Sequence, residues 1–264
     1  MEEQQQFGKY TIKQLLRKQG SYVSIYLGRK EGASRDVELH ILNHNVSENT
    51  TDFQRFLNEF QTLSNLKHPN IESVSDMGME DNKAYYATPH SGASPLTEVV
   101  AGGKKFSFIE VVEIGRQLTE ALGYIHSKKV LHRDLGPESV YYHAPFKRAI
   151  ISGFALVKNF KLTNLTARGL MTPTEMRVTP EQIEDLPYDE RTDIYLLGDL
   201  MYWLLTEMPA LSFNFTPEPI SKHNPEVPKI LETTILKMLE ASPDRRWQTA
   251  REVQQALSEC AAKI

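Results

Sequence analysis

Three groups that hold or move charge stand in a row at His132-Arg133-Asp134, inside the run Leu131-His132-Arg133-Asp134-Leu135-Gly136-Pro137-Glu138-Ser139-Val140. The chemistry open to such a trio is proton transfer, with Asp134 as the candidate base. A second charged feature, Arg17-Lys18, comes just before Gly20. Two readings of it stand, an anion-attracting pair and a solvated basic turn.

Elements of two textures must position these residues. Up to about residue 86 the chain reads as short strands around one helix. The stretches 22–27 and 37–42 are rich in β-branched and aromatic residues and flank a polar turn with Gly32, which predicts an antiparallel hairpin. Phe53, Phe56, Leu57, Phe60, Leu63 and Leu66 recur at helical spacing and stop at Lys67-His68-Pro69-Asn70, which predicts a helix packed on that sheet. Beyond Gly92 the texture turns helical, most clearly over 108–127 and 193–206, with proline-containing loops between. The expectation is an α+β chain, one domain over 1–264, with a β-rich lobe over 1–89, a hinge at 90–94 and a larger, mainly α-helical lobe over 95–264.

Composition narrows the function. A net charge of -4 and a pI near 6.1 offer no basic field for nucleic acid or anionic lipid, so neither is expected as a partner. Cys260 is the only cysteine and cannot form an internal disulfide; the first residues lack a signal-peptide profile. The longest apolar stretch, 194–205, is far shorter than the ~20 residues that span a bilayer. A cytoplasmic protein is expected, with export as an effector or attachment to a longer chain left open.

The order of motifs resembles the protein kinases, in the texture of the bacterial Hanks-type serine/threonine kinases, over almost the whole chain. The resemblance is carried by Glu59 and Leu63 in a helix before His68-Pro69-Asn70-Ile71, then His132-Arg133-Asp134, Thr179-Pro180-Glu181, Asp193-Ile194-Tyr195-Leu196-Leu197-Gly198 and Arg246. It implies a bilobal kinase-like fold: a small antiparallel β-rich N-lobe with one helix, and a mainly helical C-lobe.

Kinase catalysis rests on positioning and electrostatics supplied by a defined set of parts. By the resemblance, most of those parts are altered here. Of the glycine-rich loop only Gly20 remains, and the run is one residue longer than the family pattern. The strand that carries the phosphate-binding lysine reads Val37-Glu38-Leu39-His40, so His40 replaces the lysine and Glu38 the alanine that roofs the adenine. A buried Glu38 would need a partner, reaching a Lys or Arg or turning outward. His40 has two open readings: it pairs with Glu59 when protonated, or it packs against its neighbours. Tyr141 stands where the family has an aliphatic adenine floor.

The metal positions are altered as well. Ser139 takes the place of the catalytic-loop asparagine, and the metal-binding Asp-Phe-Gly reads Gly153-Phe154-Ala155, so neither keeps a carboxylate or a side-chain carbonyl for magnesium. No metal or nucleotide cofactor is expected; ATP and magnesium binding is expected to be lost or weak.

The framework, in contrast, is complete. Leu63, Val74, Phe154 and His132 match the family's apolar column, Asp193 its loop-anchoring aspartate, and Glu181 and Arg246 its clip on the activation segment, 154–181. That segment holds Thr163, Thr166, Thr172, Thr174 and Thr179, and a phosphate on one of them could pair with Arg133. The resemblance thus implies a catalytically inactive pseudokinase that binds proteins as a scaffold or allosteric regulator, with an active kinase of the same family as candidate partner. Two alternatives stand: a divergent serine/threonine kinase or other ATP-using transferase with Asp134 as base, and a non-catalytic nucleotide-binding domain.

Overall fold

The computed structural model describes residues 5–19, 23–43, 51–154, 178–210 and 216–263. They form two compact units. The first takes the described residues up to Ala93 together with Phe154, and the second those from Ser94 to Gly153 and from Val178 onward. The division falls inside the predicted hinge, although Phe154 groups with the first unit.

Side-chain alternation along the strands organises the first unit, interrupted by register shifts at Ile12–Gln14 and Leu15–Arg17. Its six strands are β1 (Gln6–Phe7), β2 (Tyr10–Gln19), β3 (Val23–Lys30), β4 (Asp36–Leu42), β5 (Asp76–Glu80) and β6 (Lys83–Pro89). They form one antiparallel sheet in the order β1-β2-β3-β4-β6-β5. On one face Leu39 and Ile41 pack with Phe7, Tyr10, Ile12, Tyr85 and Ala87. Leu42 points the other way, toward Val23, Ile25, Phe56, Ala84 and Tyr86. Because successive side chains alternate, Glu38 and His40 share the face of Leu42. Helix α1 (Thr51–Ser64) covers that face with Phe53, Phe56 and Phe60, as its spacing predicted.

The second unit is mainly helical. Helix α2 (Leu96–Ala101) is followed by α3 (Phe108–Ser127), which begins where Ser107 and Glu110 form a reciprocal capping box. A small antiparallel sheet of β7 (Ser94–Pro95), β8 (Val140–His143) and β9 (Arg148–Ile151) carries the loops on either side of it. Helices α4 (Pro180–Ile183), α5 (Glu190–Thr206), α6 (Lys229–Met238) and α7 (Ala250–Lys263) complete it. Residues Thr192 to Tyr202 of α5 are all buried, so this helix runs through the core. At Gly115 of α3 an added Cβ would lie 2.9 Å from side-chain atoms of both Met201 on α5 and Leu257 on α7, which would have to move aside. Among the described residues no helix is long and apolar enough to cross a membrane.

One ion pair ties distant parts of this unit together. Arg246 gives two hydrogen bonds of 2.7 Å to the Glu181 carboxylate and others to the carbonyls of Glu240, Arg191 and Ala241. All five guanidinium N–H groups are thus used, and Thr192 donates to Glu181 at 2.8 Å. Burial alone would raise the Glu181 carboxyl, but Arg246 outweighs it and holds the group below its ordinary value. Replacing Arg246 by methionine leaves that carboxylate buried and unpaired, and is expected to cost about 3–5 kcal/mol, read as a fall in the urea unfolding midpoint. A loss under about 1 kcal/mol, the worth of a surface pair, would contradict a tethering role.

Candidate functional site

In the first unit, charged groups gather on the helix-covered face of the sheet. Glu38 is buried, and its carboxylate accepts from Arg17 Nη2 at 2.5 Å and faces His90 Nδ1 at 3.0 Å. This resolves the open question of its partner. Arg17 lies in β2 opposite Ile25, which pairs in turn with His40, so it belongs to a strand rather than to a basic turn.

His40 is 2% exposed and stacks on Tyr86, with ring centroids 4.4 Å apart. Its Nε2 faces Thr88 Oγ1 at 3.5 Å and Glu72 Oε1 at 3.9 Å, and its Nδ1 has no hydrogen-bond partner among the described residues. Burial above all, and the nearby Arg17 charge, push the imidazole down to about 3, so it is neutral at physiological pH. Of the two readings of His40, packing against neighbours is the one this geometry matches; a charged pair with Glu59 is not formed. Glu59, also buried, sits against Tyr86. Burial and the Glu72 charge drive its carboxyl up to about 8 despite the Tyr86 hydrogen bond, which favours the charged form.

In the second unit, a buried carboxylate builds the loop that carries Asp134. Asp193, with no exposure, accepts from the backbone N–H of His132 at 2.9 Å and of Arg133 at 2.7 Å, and from His126 Nε2 at 2.8 Å. Arg133 takes a left-handed φ of 65°, which reverses the chain, and its guanidinium lies over the Tyr188 ring. His132 is buried; Nδ1 accepts from Asp134 N, which leaves Nε2 to donate to Ser152 O at 2.9 Å. Asp134 itself is half-buried.

The two altered positions meet at the end of this loop. Ser139 Oγ donates to Asp134 O at 2.9 Å and accepts from Gly136 N at 2.9 Å, so the hydroxyl closes the loop on itself. Gly153 has φ +73°, and a Cβ there would stand 3.4 Å from Ser139 Cβ. Tyr141, on β8, is half-buried and pairs across the sheet with Pro95 and Ile150. The loop therefore offers a carboxylate at Asp134, a spent hydroxyl at Ser139 and no side chain at Gly153.

The remaining sequence-derived residues sit as follows. Leu63 is buried in the first unit, Val74 packs on the cluster beneath α1, and Phe154 is buried. Gly20, and the activation-segment residues Thr163, Thr166, Thr172 and Thr174, lie outside the described residues. Thr179 caps α4. Sequence reasoning gave no part to Glu72, Tyr86, Thr88 or His126, and placed His90 only in the hinge. Each meets its partner through strand register or helix packing across 30 to 70 positions, for which a single sequence carries no signal.

Comparison with known proteins gives a consistent result. The protein kinase domain profile matches residues 12–263. The chain is similar to the serine/threonine-protein kinase PrkC of Bacillus subtilis, 26% identical over 258 residues, covering 94% of this chain and 40% of that protein. It is also similar to PknB of Mycobacterium leprae, 25% identical over 250 residues, covering 89% of this chain and 40% of that one. The chain thus spans about two fifths of these curated relatives. Among solved structures, the PknI kinase domain of Mycobacterium tuberculosis aligns with a TM-score of 0.75 at 23% identity, covering 97% of this chain and 98% of that one, which shows the shared fold.

The buried acid of the first unit has a measurable signature. Between pH 6.5 and 8 the folded chain keeps a proton on Glu59 that the unfolded chain, near the ordinary 4.5, has lost. Stability should therefore fall with rising pH, by up to about 1.4 kcal/mol per unit. Below pH 6.5 His40 acts oppositely, because it takes up its proton only when unfolded. Glu59→Gln should flatten the decline between pH 6.5 and 8 in urea titrations, and an unchanged slope would refute a protonated Glu59.

Proposed function

This chain belongs to the protein kinase family, and on that premise we propose that it is a pseudokinase, a member without phosphotransfer that works by binding other proteins. The observation that carries this reading is the state of the two positions at which the family holds magnesium. Gly153 offers no side-chain ligand atom, and the Ser139 hydroxyl is engaged with Asp134 O and Gly136 N. Magnesium is ordinarily held by one or two carboxylates together with phosphates, so these residues do not fit the ion. No step of phosphoryl transfer is derived through it.

The first unit supports the same reading. At the position of the phosphate-binding lysine stands a neutral, buried His40, and the glutamate that would pair with that lysine, Glu59, is itself protonated at neutral pH. Glu38 puts a carboxylate where an adenine would need an apolar roof, and Tyr141 a phenol where the floor would be aliphatic. The loop and the segment clip are fully bonded around Asp193 and Arg246, which supports retention of the framework as a binding surface. A scaffold or allosteric regulator in serine/threonine kinase signalling is the role that follows, with an active kinase of the same family as the partner class that fold-level analogy offers.

One observation favours a second reading. Asp134 keeps its place on a loop held by Asp193, as a base in a phosphotransferase would. Incubation with labelled ATP and magnesium or manganese, with Asp134→Asn as control, separates the two. The expected result is no label transfer above that control, to the chain itself or to a general protein substrate. Transfer that Asp134→Asn abolishes would overturn the pseudokinase reading.

A further inference from the structure

The β8–β9 hairpin of the second unit has a well-held backbone and an unsettled set of side chains at its tip. Gln117 of α3 grips the start of β9: its Nε2 donates to Lys147 O at 3.0 Å, and its Oε1 accepts from Ala149 N at 2.8 Å. The turn itself presents Phe146, 75% exposed, whose ring stacks on His143 with centroids 4.7 Å apart. Lys147 follows, exposed, with a left-handed φ of 47° that glycine would adopt without strain.

Two permanent cations stand here without counter-charge. Among the described residues neither Lys147 nor Arg148 has an ion pair or a side-chain hydrogen bond, and Arg148 Nε is buried without an acceptor. The position across the strands from Arg148, where an acid would pair with it, holds His143, whose Nδ1 is also buried without a hydrogen-bond partner among them. Glu113, one turn before Gln117 on α3, is taken by Arg116 and by Gln117 itself. In a chain of net charge -4 this is a local basic spot, not part of a general field.

None of these features stabilises the fold. An apolar ring in water, a lysine in a glycine conformation and an uncompensated guanidinium each work against it. Several local preferences set aside together on a firmly held element mark side chains arranged for something outside the fold. A guanidinium fork beside an ammonium is shaped for oxyanions, and a largely exposed ring stack for a further ring. Two permanent cations fall short of the roughly 4–8 that hold a chain to anionic lipid, but they match the few carboxylates of a peptide.

We propose that the tip of this hairpin docks an acidic protein segment in which carboxylates flank an aromatic residue. The carboxylates pair with Arg148 and Lys147, and the aromatic ring packs on Phe146. This rests on the reading of the chain as a protein-binding member of its family, and gives that reading a surface and a partner chemistry.

The probe is a fluorescein-labelled peptide with glutamates on both sides of one tryptophan, titrated by anisotropy against the full chain in EDTA without nucleotide. Its glutamine counterpart is expected to bind at least about tenfold more weakly. Arg148→Glu and Lys147→Glu should each lower affinity about tenfold, the worth of one charge-assisted pair, with Arg148→Gln as the substitute should the reversal unfold the chain. Phe146→Ala should weaken the tryptophan peptide and not one with alanine in its place. Lys105→Glu, a reversal at an exposed lysine elsewhere on the unit, should leave binding unchanged, and circular dichroism establishes that each variant is folded.

Equal binding of the glutamine peptide, indifference to both hairpin reversals, a Lys105→Glu loss as large as that of Arg148→Glu, or attachment to phosphatidylserine vesicles but not to the peptide would overturn the docking site and leave the pseudokinase reading intact. Label transfer from ATP that Asp134→Asn abolishes would count against that reading alone, since no step of the peptide titration involves nucleotide.

Discussion

A carboxylate sealed from water, Asp193, sets the conditions for the rest of the second unit. A buried charge survives only where donors replace the lost water, and Asp193 has three: two consecutive backbone N–H groups and His126 Nε2. Consecutive N–H groups can aim at one carboxylate only if the chain turns sharply between them. Arg133 supplies that turn with a left-handed φ that costs an L-residue roughly 1–2 kcal/mol. His132 is thereby directed inward to Ser152 O, and Asp134 is left on the outer side of the turn. The loop's shape is thus a consequence of satisfying one acid.

The same rule explains why the loop persists with altered residues at its end. Ser139 is shorter than an asparagine, yet its single hydroxyl bridges Asp134 O and Gly136 N and needs no external partner. A glycine at 153 adopts its left-handed φ without the penalty a side chain would bring. Both residues are therefore satisfied within the loop itself.

Legibility in the sequence follows the range of the forces involved. Helix 108–127 could be read from its local texture, and the structure adds the capping box of Ser107 and Glu110 that fixes its start. The hairpin of β3 and β4 was visible for the same reason, and Glu38 and His40 share a face simply because they are two apart. The Glu181–Arg246 pair spans 65 positions, and only the resemblance to a known fold brought its members together. The sequence said that a buried Glu38 would need a partner and that His40 could pack against its neighbours, but not which residues these would be. Their identities depend on β2, β4 and β6 being neighbours in a particular register, and Arg17 taken in isolation resembled an ordinary surface charge.

The charges of the first unit show how buried acids are accommodated in a folded sheet. A buried acid has two ways to stay folded: pair with a cation, or take up a proton. Glu38 has the first, with Arg17 at 2.5 Å and His90 at 3.0 Å. Glu59 has the second, because His40, stacked on Tyr86 and stripped of solvent, cannot carry the charge that would hold the acid ionised. Neither solution needs a ligand. The charges on this sheet face are thus settled by groups of the chain itself, a carboxylate against a guanidinium and a proton on Glu59.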